Sequence, residues 1–338
     1  MGRDRDGRPA LVWMGRRGRL TARVRPAPEK IMNRREFLQT TASAGAMLGL
    51  ANRAAGSAPG IYISLHNSLV GGKVQWPETA RLAAKVGFGG VDVNLSGAMQ
   101  EGLDATKALL AELKLRPANC VLPLQMTRDE DAFKKGMEGL DDQVRFAVAI
   151  GCPRMVYTAW GPTPSTTKEE YRKLLMGRFQ AAGTALAKYN VRCGLEFMGS
   201  LQSRSRLPSF LCLMNEMLDF AEDCGPNYGV LLDSWHWYHA GATIEDIHKA
   251  GKARIVSVHV SDAAKMPPED VRDNARLMPG EGVIDLAGFF KALKEIGYED
   301  GVSPEPLGRI PKEMPAEEGA KLACDTTRTV MRKAGIDV

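Results

Sequence analysis

The 338-residue sequence predicts a (β/α)8 barrel, the TIM-barrel architecture, and three observations predict it. From Gly60 onward, short apolar runs of strand type alternate with amphipathic helical stretches in strict order. Four successive runs then end in side chains of metal-ligand type: Glu196 closing VRCGLE, Asp233 closing YGVLLD, His259 in RIVSVHVSD and Glu305 in DGVSPEP. Their spacing, roughly 25 to 45 residues, is one βα unit each, which is how parallel strands closing a barrel present side chains at a single face. Finally, the first strand is followed by SLHNSLVGG and not by G-x-G-x-x-G, which weakens the rival doubly wound sheet.

The elements follow in order. Ile61 to Leu65 reads as the first strand and Trp76 to Val86 as its helix; Gly90 to Asn94 is the second strand, with a helix from Glu101 to Lys114. Arg116 to Leu122 is the third strand, and its long helix, Asp129 to Ile150, carries Asp141-Asp142 as a candidate break. Arg154 to Thr158 is the fourth, and TPSTTKEE starts its helix, Lys168 to Tyr189, with Ser/Thr caps ahead of first-turn acids. The fifth strand, Val191 to Glu196, precedes a helix from Ser209 to Cys224. The sixth ends at Asp233, before a helix from Thr243 to Ala250. The seventh runs from Arg254 to His259, with a helix from Asp285 to Ile296. Val302 to Glu305 is the eighth strand, and Ala316 to Ala334 closes the chain. Two connections, Met198 to Pro208 and Ser261 to Ile284, are longer than such loops usually are, and long loops on this side of a barrel tend to be functional.

The amino-terminal segment reads differently. Asn33-Arg34-Arg35-Glu36-Phe37-Leu38 resembles the twin-arginine export signal and is followed by an Ala/Gly/Leu run too short to span a bilayer. The expectation is that residues 1–58 are an upstream leader plus export signal, that residues 59–338 are a single catalytic barrel, and that the mature protein is periplasmic with no stable membrane anchor. Charge follows the same division. Residues 1–56 hold 12 Lys/Arg against 4 Asp/Glu; the chain's +5, less the segment's +8, leaves −3 for the remainder. A mildly acidic barrel lacks the electrostatic footprint of a nucleic-acid binder. The six cysteines include no C-x-x-C pair and read as small buried hydrophobes.

Taken singly, the four strand-end residues have plain structural readings: Asp233 as a helix cap, His259 as a core imidazole, Glu196 and Glu305 as surface or loop acids. Converging on one face they do not, because buried carboxylates are costly unless paired or metal-bound. Three carboxylates and one imidazole suit one Mn²⁺, Mg²⁺ or Co²⁺, with Zn²⁺ also admissible, better than a cysteine-rich structural zinc site. His236, one short turn beyond Asp233, is a candidate to orient a ligand or to contact substrate, with capping or packing as its plain reading, and Arg276, in the second long loop, could reach back over the pocket. His66, at the end of the first strand, could line the same rim, and Trp160 and Trp235 offer rings for sugar stacking; for all three, packing or surface is the plainer role. Asp262 reads as an orienting carboxylate or as a turn residue.

Glu196 in LEF, Asp233 and His236 in LLDSWH, His259 in VHVSD, Arg276 ahead of PGEGVIDL and Glu305 in SPEP together resemble the sugar phosphate isomerase/epimerase superfamily of xylose-isomerase-like barrels. The resemblance spans residues 60–334 and is nearest to ketose 3-epimerases and hydroxypyruvate isomerases. It implies that Glu196, Asp233, His259 and Glu305 bind one divalent metal, that the two glutamates move protons, and that His236 and Arg276 hold substrate oxygens. The endonuclease IV branch needs further histidines for its metal cluster, and there is none between His66 and His236. The function expected is a metal-dependent sugar isomerase or epimerase that abstracts a proton beside a carbonyl through an enediolate. The alternatives are a keto-sugar lyase or dehydratase on the same barrel, or a carbohydrate-binding protein without turnover. The partner is a small sugar or keto-sugar; a homo-oligomer is left open.

Overall fold

The computed structural model describes residues 60–71, 74–161, 166–202 and 209–338. The export-signal reading and the expected leader lie outside the described residues. Eight parallel strands close in sequence order: β1 (Tyr62–Leu65), β2 (Gly90–Val93), β3 (Arg116–Val121), β4 (Arg154–Thr158), β5 (Arg192–Glu196), β6 (Tyr228–Asp233), β7 (Ile255–Val260) and β8 (Gly301–Pro304). The barrel is sealed where Tyr62 of β1 pairs with Gly301 of β8. Glycine is needed at that seam, since a Cβ on Gly301 would stand 2.6 Å from the Ala118 side chain.

The outer layer comprises α1 (Trp76–Val86), α2 (Leu95–Glu101), α3 (Leu103–Glu112), α4 (Glu130–Ala149), α5 (Lys168–Lys188), α6 (Met214–Cys224), α7 (Ser234–His239), α8 (Ile244–Arg254), α9 (Leu286–Glu295) and α10 (Ala316–Lys333). Their apolar faces pack on the outward strand residues, with Trp76, Phe179, Phe220, Phe289 and Phe290 among the fully buried side chains. Capping follows the sequence: Thr167 and Glu170 form a reciprocal box at α5, and Thr243 and Asp246 do so at α8.

Four boundaries differ from the sequence expectation. The helix expected over 101–114 is α3, and a further short helix, α2, precedes it, the two divided at Gly102, whose φ of 91° only glycine adopts without strain. The Asp141-Asp142 pair does not break α4, because Asp141 faces outward to Lys188 and Tyr189. Helix α6 starts at Met214 and not Ser209, with Glu216 accepting from the Cys212 and Leu213 N–H groups. The chain also turns helical directly after Asp233, forming α7, so that Asp233 is both strand end and helix cap.

The barrel interior is polar beneath its mouth. Ser64, Asp92, Asn119, Ser257 and Ser303 are all buried. Asn119 of β3 donates to Ser257 on the opposite wall at 3.2 Å, while Ser64 and Ser303 both donate to Asp92 Oδ1 at 2.8 Å. All six cysteines are buried and free. Among the described residues, no helix is long and apolar enough to cross a membrane.

Candidate metal centre

The barrel register gathers the ligand-type side chains. Glu196 and Asp233 are the last residues of β5 and β6, His259 stands opposite Asp233 on β7, and Glu305 follows β8 with its N–H bonded to the Val260 carbonyl. One ligand atom from each of Glu196, Asp233, His259 and Glu305 lies within 4.8 Å of every other. His259 Nδ1 is 3.4 Å from Glu305 Oε2 and 3.9 Å from Glu196 Oε1. Thr158 fixes Glu196 by donating to Oε2 at 2.7 Å. Asp233 divides its carboxylate: Oδ1 accepts the Trp235 and His236 N–H groups of α7, and Oδ2 accepts from Arg276 Nη1 at 2.8 Å.

Arg276 is 2% exposed and its guanidinium reaches back from the long β7–α9 loop, as the sequence expected. Nη1 also donates to Glu305 Oε2 at 3.0 Å, and Nε and Nη2 both donate to Asp273 Oδ1. The loop is latched by Asp262, whose buried carboxylate accepts the N–H groups of Ala263, Gly280, Gly282 and Ile284. Asp262 is therefore a loop organiser, combining the turn role with the positioning of Arg276. Gly282 belongs to the same device, since a Cβ there would lie 2.2 Å from the Ala263 carbonyl.

The electrostatics follow from crowding three carboxylates out of water. Burial, reinforced by Glu305, pushes the Glu196 carboxyl up to about 8. Burial would raise Glu305 too, but His66, Arg276 and His259 outweigh it and hold it well below the usual range; Asp233 is lowered against its own burial by Arg276. Burial disfavours charge on His259, yet Glu305 and Glu196 beside it bring the ring up to about 9. Burial first of all lowers both His66 and His236 from the usual imidazole range.

The remaining sequence candidates separate. His236 lies within the pocket, with Nδ1 3.2 Å from the Gly199 N–H and Nε2 3.2 Å from Arg276 Nη2, so that each ring nitrogen faces a donor. His66 packs edge-on to His259 with ring centroids 4.7 Å apart, its Nε2 3.6 Å from Glu305. Trp160 stands 49% exposed on the rim. Trp235 is 1% exposed, with Arg276 over its ring and His239 packed edge-on against it, so it supports the pocket without offering a free face for a sugar. The same packing leaves His239 half-buried.

Sequence reasoning passed over Thr158, Asp273 and Asp92. The first two carry no signal beyond a polar residue at a strand end and in a loop. Asp92 carried one, a lone carboxylate between two valines in the middle of a buried strand.

The donor set fits a divalent ion. Three carboxylates and an imidazole converge, and both ring nitrogens of the buried His259 lack a hydrogen-bond partner, an arrangement that costs stability unless something accepts their lone pair or proton.

The sequence matches the model of the xylose isomerase-like TIM barrel family over residues 80–329. An inosose isomerase of Halalkalibacterium halodurans is 29% identical over 210 residues, 61% of this chain and 71% of its own. L-ribulose 3-epimerase of Methylomonas sp. is 25% identical over 235 residues, 66% of this chain and 75% of its own. Among solved structures, a xylose isomerase domain protein from Alicyclobacillus acidocaldarius superposes with a TM-score of 0.74 at 28% identity, covering 81% of this chain and 99% of that one. An IolI protein with a bound zinc atom shares the fold at a TM-score of 0.68 and 23% identity, over 81% of this chain and 99% of its own.

Proposed function

The chain belongs to the xylose isomerase-like TIM barrel family, and from that premise we propose that it is a divalent-metal-dependent isomerase or epimerase of a sugar or related polyhydroxylated ketone. The observation that carries the reading is the cage itself: four ligand-type side chains from four consecutive strands with their atoms within 4.8 Å, two of them glutamates arriving from β5 and β8. The related inosose isomerase and L-ribulose 3-epimerase support isomerisation over lyase chemistry or binding without turnover. The zinc atom in the IolI structure supports a divalent ion held by Glu196, Asp233, His259 and Glu305; Mn²⁺, Mg²⁺, Co²⁺ and Zn²⁺ all suit such donors.

Bound there, the ion would polarise the substrate carbonyl and the hydroxyl beside it, making the adjacent C–H acidic enough to lose. The residues supply the rest. Glu196 removes or returns the proton on one face of the substrate. Glu305, from the other side of the cage, does the same at the opposite face or the neighbouring carbon. His236 contacts one substrate oxygen, and Arg276, which balances Asp233 and Glu305, holds a second.

The deciding experiment is incubation of metal-loaded protein with a panel of ketoses, aldoses and inososes in D₂O. Deuterium at a carbon beside the carbonyl, together with a new isomer, is the expected result. Binding without exchange across a panel that includes ligands of measured affinity would overturn it. We propose in addition that the Arg34-Arg35 segment directs export to the periplasm; a reporter fusion that crosses the inner membrane equally well after Arg34→Lys with Arg35→Lys would sink that assignment.

A further inference from the structure

Below the cage, His66, Asp92 and His259 bring a second set of ligand-type atoms within 4.8 Å of one another. Asp92 lies on β2, outside the four strands that supply the cage, and is 2% exposed. Its Oδ1 is committed to the hydroxyls of Ser64 and Ser303, while Oδ2 is buried with no hydrogen-bond partner. On His259, Nδ1 faces Glu305 and Glu196, and the other ring nitrogen, Nε2, is likewise buried and unpartnered. Two unsatisfied groups, an acceptor and a ring nitrogen, therefore belong to side chains whose ligand-type atoms lie within 4.8 Å of one another.

A second cation is one way to satisfy them, and His66 argues against it. The His66 ring caps the turn beginning at Asn67: Nδ1 accepts the Ser68 N–H at 3.2 Å and lies 2.7 Å from the Ser68 hydroxyl. A neutral ring that accepts at Nδ1 carries its proton at Nε2, and a protonated nitrogen has no lone pair for a metal. His259 would likewise have to lose both ring protons to ligate on both sides. A hydrogen bond meets neither obstacle.

We propose that Asp92 is a positioning residue for the metal centre: its Oδ2 accepts the Nε2–H of His259, directly or through one water, and so fixes the tautomer in which Nδ1 is free to ligate. A ligating imidazole is regularly held this way, its second nitrogen donating to a carboxylate that sets ring direction and raises basicity. Ser64 and Ser303 anchor the carboxylate from β1 and β8, so Asp92 is oriented before any ion arrives. The inference rests on the proposed metal centre and extends it by one shell.

The test is competition titration of full-length wild type, Asp92→Asn and Asp92→Ala with Zn²⁺ against a chromophoric chelator, paired with nitrogen-15 spectra of the histidine rings in the zinc-loaded proteins. Asp92→Ala is expected to weaken zinc by ~10- to 100-fold, the scale of losing such a partner. It should also erase the slowly exchanging His259 Nε2–H resonance. Asp92→Asn, which keeps an acceptor oxygen, should fold as wild type does and restore part of both. Unchanged zinc affinity in both variants, or a Nε2–H resonance that survives in Asp92→Ala, would overturn the assignment. Two zinc ions per wild-type chain with one lost in Asp92→Ala would overturn it in favour of a second cation site. A wild type that binds no divalent ion would instead overturn the proposed metal centre itself, a separate failure that is read before any variant is made.

Discussion

The two halves of the barrel mouth are built on different physical terms. On the side of β5 to β8, every strand carries an ionisable group at or beside its end, and three of the four are held by hydrogen bonds: Glu196 by Thr158, Asp233 and Glu305 by Arg276, which Asp273 holds in turn. On the side of β3 and β4 the rim is apolar and open, with Val121 61% and Trp160 49% exposed. Fixed polar groups suit a reaction centre, where misplacement is expensive; an exposed apolar rim has no partner to dictate its shape. The comparison suggests that chemistry is set by one half and the choice of substrate by the other.

The strongest way to break that division is at the glutamates. Glu196→Gln and Glu305→Gln are each expected to cut turnover by at least ~10²-fold with the fold intact, the scale of losing a general base. For an epimerisation, one variant should still exchange substrate hydrogen with solvent and the other product hydrogen. Near-normal turnover in either variant, with metal still bound, would reduce that carboxylate to a ligand and make His236 the next base to test.

Next come the two proposed ligands to which no proton transfer with substrate is assigned. Asp233→Asn and His259→Ala should each lower bound divalent metal well below one per chain, measured by elemental analysis after gel filtration. Proton linkage gives this a second reading. Near neutral pH the metal-free cage carries protons on Glu196, raised to about 8, and on His259, raised to about 9. An entering ion must displace them, so apparent affinity should climb with pH and flatten above about 9. A flat titration across that window would mean that the two groups are not ligands.

Much of the reactive half was legible in the sequence, because buried parallel strands read as apolar runs and a carboxylate or imidazole at their end stands out. Glu196, Asp233, His259 and Glu305 all announced themselves in this way. What was not legible depends on contacts between segments far apart in the chain. Nothing near Trp235 says that Arg276 will cover its ring, and nothing near Asp262 says that Gly280, Gly282 and Ile284 will bring their N–H groups to it. Asp92 stayed hidden for a related reason: its partners, Ser64 and Ser303, come from the strands at the barrel's closing seam. Helix α2 was not read because it is a single short stretch, Leu95–Glu101, set off from α3 by one positive φ at Gly102.

Asp262 tests whether the reactive half needs its latch. Asp262→Ala strands the loop N–H groups that its carboxylate accepts and frees the segment carrying Arg276 to move. Metal stoichiometry should remain at the wild-type value while kcat/KM falls about tenfold or more, since an ångström of misplacement in a positioning group is costly. Full activity in this variant would show that Arg276 is held well enough by Asp233, Glu305 and Asp273 alone.

The smallest effect is expected at the open half, and it is the one that sharpens the comparison. Trp160 presents about half its surface to solvent, and Tyr171 fixes the backbone beneath it by donating to the Trp160 carbonyl at 2.8 Å. The ring is thus anchored from below and free above, which suits stacking on the apolar face of a sugar ring. Such a contact is made equally in the ground and transition states, so its loss should appear in KM and not in kcat. Trp160→Ala is expected to raise KM by about 2- to 10-fold, the equivalent of one aromatic contact, with kcat and metal content unchanged. If kcat falls instead, Trp160 acts on the reacting centre, and the division of the mouth into a chemical half and a selective half is wrong.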